Sequence, residues 1–167
     1  MVILIFTSSF AVAFILTKSY RFLDKYYSTV LYVSCSAALY QAVCRGHLLW
    51  LIQDWFFFTS KLSVLTQFAV LFPCTTVLFL RYFPHRKWTR LLYYLGFVGV
   101  YILMEWFLSL RNEIAYQYGW TFGWSVFIDF ALFAMAWIHS RSWKIALPIS
   151  ACNIAFLMAW FDVPLTG

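Results

Sequence analysis

Runs of 16 to 20 largely apolar residues, each closed by a short polar cluster, recur along the whole chain and leave few folds open to it. A bilayer core about 30 Å thick is crossed by a helix of about 20 such residues. A helix also satisfies its own backbone hydrogen bonds where water is absent. The runs fall at residues 2–17, 26–44, 62–80, 91–110, 120–138 and 145–161. An all-α, polytopic transmembrane bundle of six spans in one domain is therefore expected, with five spans and a short interfacial piece as the alternative count. Composition agrees: 64% of the residues are hydrophobic and 11% charged, against about half and a quarter in soluble domains.

The first run is the shortest, and a signal peptide competes for it. No Lys or Arg precedes it, and the Ala11-Val12-Ala13 triplet is followed by more apolar sequence, so the run is read as a helix. Residues 48–58 are apolar but too few to cross, and Gln53 and Asp54 interrupt them. An interfacial or re-entrant segment is expected there, with Phe56, Phe57 and Phe58 in the aromatic belt. Inside the third run Pro73 removes a helix donor, which predicts a kink near Phe72-Pro73.

The net charge of +6 is distributed between the runs and along no single face, so it reads as a topology signal; nucleic acid is not an expected partner. Nine cations, Lys18, Arg21, Lys25, Arg81, Arg86, Lys87, Arg90, Arg141 and Lys144, sit in the first, third and fifth connections, and three, Arg45, Lys61 and Arg111, in the second and fourth. Cytoplasmic connections carry the excess of Lys and Arg. Both termini are therefore expected outside.

Two acids lie inside runs, Glu105 in the fourth and Asp129 in the fifth. An acid at the middle of a membrane helix costs about 2.5 to 3.5 kcal/mol and usually faces the bundle interior, where it finds partners. Counting about 1.5 Å per residue from Arg111 and Trp120 puts the two within about one helical turn of the same depth. A shared site in the outer half of the bundle would follow, with one carboxyl protonated because close anions repel in a low dielectric. The plainer alternative is that each acid bonds a neighbour and fixes helix register. Tyr101 and Ser125, each four residues from an acid, are the expected partners. Gln67, Tyr101 and Asn153 complete the candidate polar site.

Gly119 and Gly123 have G-x-x-x-G spacing, but beside Trp120 and Trp124 they read as a tight turn with an aromatic belt rather than a helix seam. Cys35, Cys44, Cys74 and Cys152 lack C-x-x-C spacing, and His47, His85 and His139 stand alone. They are expected as packing and interface residues, with no metal and no cofactor.

Several strings occur together: Lys25-Tyr26-Tyr27, Phe72-Pro73, Tyr82-Phe83-Pro84, Glu105, Gly119-Trp120 with Trp124-Ser125, and Val163-Pro164. The set resembles an uncharacterised family of small multi-pass membrane proteins from Bacillus- and Clostridium-like, spore-forming bacteria. The resemblance implies a bacterial plasma-membrane location and makes Glu105 a family position, and it implies no activity. That family carries a His and an Asp near the start of the third span, where this chain has Ser60 and Val64. The leading expectation is a non-enzymatic envelope or interaction component whose partners are the bilayer and another protein or a second copy of the chain. The rival is a small-solute or ion-binding transport module using Glu105 and Asp129. Substrate-binding subunits of modular vitamin transporters share the size but generally keep their termini in the cytoplasm.

Overall fold

A computed structural model describes residues 2–53 and 59–164. Among them six helices form a bundle: α1 Val2–Leu16, α2 Leu23–Val43, α3 Ser60–Arg81, α4 Lys87–Leu110, α5 Phe122–Arg141 and α6 Trp143–Trp160. Each apolar run lies within or across one helix, but the ends differ from the apolar boundaries. Helix α4 starts at Lys87, four residues before the run at 91, because Lys87 and Arg90 can point their charged ends away while their stems lie along the helix. The four helices α3 to α6 are each long and apolar enough to cross a membrane; α1 and α2 pass that test only together, and they meet at 79°.

Two elements were not legible as apolar runs. Strand β1, Trp50–Ile52, pairs antiparallel with β2, Ile114–Tyr116, in the register Trp50 with Tyr116 and Ile52 with Ile114. Within the 48–58 stretch expected as interfacial or re-entrant, Trp50–Ile52 thus form one strand of a two-stranded sheet at an end of the bundle. The expected belt of Phe56, Phe57 and Phe58 lies outside the described residues, as does Asp54. The turn between α4 and α5 holds β2, and Gly119 closes it at φ +80, a left-handed conformation that a residue with a Cβ adopts only with strain.

Helix α3 contains a π-helical segment at Gln67–Leu71, in which the Phe72 amide donates to Gln67 O. Pro73 has no amide to give to the preceding turn. The irregularity falls at the place where the sequence predicts a kink: the backbone takes up a one-turn π bulge, a usual site of helix bending, and runs on as one helix to Arg81. Thr59 caps the start, its hydroxyl accepting from the Leu62 amide at 3.3 Å.

Hydrogen bonds sort the connections between two ends of the bundle. At one end Arg81 donates to Thr17 O and to Ser19 Oγ, the latter at 3.0 Å, Thr29 pairs with His139 at 3.1 Å, and Tyr32 pairs with Ser150. At the other end lie the sheet, the His47 ring on Phe161 O at 3.2 Å, and the Val2 amide on Glu113 Oε2 at 2.8 Å. The first, third and fifth connections therefore share one end, which carries the nine cations. The second and fourth, with both ends of the described chain, share the other.

Packing between these ends is aromatic. Phe79, fully buried, sits at 5.0 to 5.9 Å from the rings of Phe83, Tyr93, Phe97 and Phe133, so α3, α4 and α5 meet on one side chain. The outward faces are apolar as well. Leu92, Leu103, Ile145, Phe156 and Trp160 are all exposed.

Candidate intramembrane acid site

Glu105 is five residues from the end of α4 and Asp129 seven from the start of α5, both ends being at the sheet side. At about 1.5 Å per residue they lie about 8 and about 10 Å in from that side. Their depths match to within one turn. Both line one partly enclosed cavity of about 90 Å³, together with Gln67, Tyr101 and Ser125 on its polar wall and Trp50, Phe72 and Trp120 on its aromatic wall. Among the described residues that line it there is no Lys, Arg or His.

The polar groups reach the cavity from three helices: Gln67 from α3, Tyr101 and Glu105 from α4, and Ser125 and Asp129 from α5. Glu105 Oε1 accepts from the Tyr116 hydroxyl at 2.7 Å, a bond from the sheet to the bundle. Burial, and then this bond to Glu105, push the Tyr116 hydroxyl well above its ordinary range, so it stays a donor. Ser125 Oγ accepts from the Trp120 indole at 2.9 Å and faces both Glu105 and Tyr116. The Gln67 amide donates to Ser63 O at 3.4 Å, within its own helix. Asp129 is 9% exposed, and among the described residues its Oδ2 has no hydrogen-bond partner; Thr7, Ser63 and Trp137 carry buried polar atoms in the same state, but of these four residues only Asp129 lines the cavity. Buried polar atoms are nearly always paired, so an open one on a cavity wall is a candidate contact for water or a ligand.

The expected partners stand differently. Tyr101 does not bond Glu105; its hydroxyl donates to Thr75 Oγ1 at 3.0 Å on α3, and its ring packs edge-on against Phe133. Ser125 faces Glu105 on the neighbouring helix, while its own-helix acid, Asp129, keeps an open oxygen. Of the five candidate residues, Glu105, Asp129, Gln67 and Tyr101 line the cavity, and Asn153 does not: it sits half-buried on α6. Tyr116 and Thr75 were missed. A tyrosine in a polar turn gives no sign that a sheet will carry it back over the acid, and a threonine two residues after Pro73 looks like any apolar-run hydroxyl.

A larger groove of about 330 Å³ runs between α1 and α4, lined by Ile5, Phe6, Val100, Leu103 and others, but Ser9 is its one polar side chain and that hydroxyl is bonded to Ile5 O. It has no converging polar groups, so the smaller cavity is the candidate site. Among the described residues no three His, Cys, Asp or Glu side chains come together as a metal site. Comparison with protein-family models, curated proteins and solved structures returns no match. The site therefore stands on its own geometry.

Such an arrangement can hold a positive charge. Two carboxyls with no basic neighbour in a low-dielectric wall must be balanced by protons or by a cation.

Proposed function

We propose that the protein is a non-enzymatic integral component of a bacterial plasma membrane, with six helices crossing the bilayer and both termini outside, whose acid cavity binds a proton or small cation. The observation that carries the binding role is the single cavity shared by Glu105 and Asp129, with Asp129 Oδ2 unpartnered on its wall. An acid placed in an apolar helix costs insertion energy, and a purely structural acid would recover that through a partner. Glu105 has one in Tyr116; Asp129 Oδ2 has none among the described residues. The membrane assignment is supported by the apolar helices and their exposed apolar faces. The orientation is supported by the nine cations gathered at one end of the bundle. The family resemblance supports the plasma membrane.

Vesicles containing the purified chain test this reading. After a small step in external pH, the parent protein should take up protons beyond the protein-free control. Glu105→Gln and Asp129→Asn should each reduce that uptake several-fold. If both variants match the parent and differ only in folding yield, the acids fix helix register and the binding role is lost.

A further inference from the structure

We infer that the cation for which this cavity is shaped is a small alkylammonium ion of the methylammonium class. The inference rests on the acid-site reading above and names its ligand. Five features of the cavity converge on it. The cavity holds two carboxyls and no basic residue, so it selects positive charge. Trp50, Phe72, Trp120 and Tyr101 line the same cavity as the acids. A ring face attracts a weakly hydrated organic cation, whereas a strongly hydrated alkali ion requires several oxygens in place of its water.

Size sets the class. About 90 Å³ is room for roughly three water-sized groups, which suits a two- or three-heavy-atom ammonium and excludes a bulky quaternary one. Donor and acceptor counting sets the head group. An –NH3+ has three donors and no acceptor, and the open Asp129 Oδ2, the remaining acceptor capacity of Glu105 and the Ser125 oxygen are acceptors on two adjacent helices. The fifth feature is independent of the acids. The π-helical segment Gln67–Leu71 lies on the cavity wall and brings Gln67, Leu71 and Phe72 to it, and such bulges recur at functional sites. Binding would displace the proton that balances the pair, so one proton leaves as one ammonium enters.

The test uses the full chain in detergent, with tryptophan fluorescence and proton release followed together. Methylammonium chloride, sodium chloride and tetrabutylammonium chloride are added in separate arms at equal ionic strength. Methylammonium should change the fluorescence saturably and release protons, with at least tenfold weaker apparent affinity in Asp129→Asn and Glu105→Gln. Sodium and tetrabutylammonium should do neither. Equal responses to sodium and methylammonium would overturn the inference, as would a response to tetrabutylammonium of the same size. Proton titration that depends on Asp129, without any methylammonium response, would remove the ligand and leave the proton-binding reading intact. Absence of both would remove the two together. The comparison of salts on the parent protein needs no variant, so a variant that folds poorly leaves the test decisive.

Discussion

Phe79→Ala is expected to lower the unfolding free energy of the bundle by about 3 kcal/mol, the lower end of the range for truncating a buried phenylalanine. On the proposed membrane placement the lower end applies, because lipid is as apolar as the protein interior and the loss then comes from packing and not from transfer out of water. The packing at stake is large: the ring is fully buried, and Phe83, Tyr93, Phe97 and Phe133 meet it at 5.0 to 5.9 Å. The Tyr93 hydroxyl also donates to Leu78 O and Phe79 O, at 3.1 and 3.2 Å, which pins α4 to the same stretch of α3. Denaturant unfolding in mixed micelles measures the change. A loss under about 1 kcal/mol would mean that α3, α4 and α5 are held together elsewhere, since an intact aromatic cluster of this kind cannot be emptied so cheaply.

Asp129→Leu is expected to act in the opposite direction, stabilising the bundle by about 1 to 3 kcal/mol, the usual penalty of a buried polar group without a partner. The cavity beside it gives the larger side chain space, and Oδ2 leaves no broken bond behind. The same micelle unfolding reads the sign. Stabilisation with loss of proton uptake is what a binding residue kept at the expense of stability should show. A loss of stability of similar size would instead assign Asp129 a structural partner.

The helices were legible in the sequence because a membrane helix announces itself by length and apolarity, which need no knowledge of its neighbours. Their ends were less so. Lys87 and Arg90 belong to α4 by backbone and to the polar connection by chemistry, and only the backbone decides. The effect of Pro73 was half legible: its missing donor follows from its chemistry and places the irregularity near Phe72, but the π form it takes over Gln67–Leu71 does not show in the sequence. The β1 and β2 strands were invisible, since three residues carry no alternation and the pairing of Trp50 with Tyr116 joins distant parts of the chain.

The candidate site shows the same division. Counting along two helices from their polar turns sufficed to bring Glu105 and Asp129 to one depth. Assigning partners by a spacing of four failed for Tyr101, because its hydroxyl points across to Thr75 and not along its own helix to Glu105. Asn153 looked equivalent to Gln67 as an interior amide, yet α6 is the least enclosed of the helices and leaves it away from the cavity. Which polar group meets which is a property of helix rotation, and apolar runs carry little information on rotation.

The account turns on Glu105 and Asp129 sharing one cavity inside a bilayer-embedded bundle. Infrared difference spectra of the chain in lipid bilayers, taken across a pH titration, address that most directly. The account predicts a protonated-carboxyl band that titrates in the parent protein, disappears in Asp129→Asn and shifts its midpoint in Glu105→Gln, because each carboxyl acts on the charge of the other. A parent spectrum with no such band, or an Asp129 band indifferent to Glu105→Gln, would contradict it.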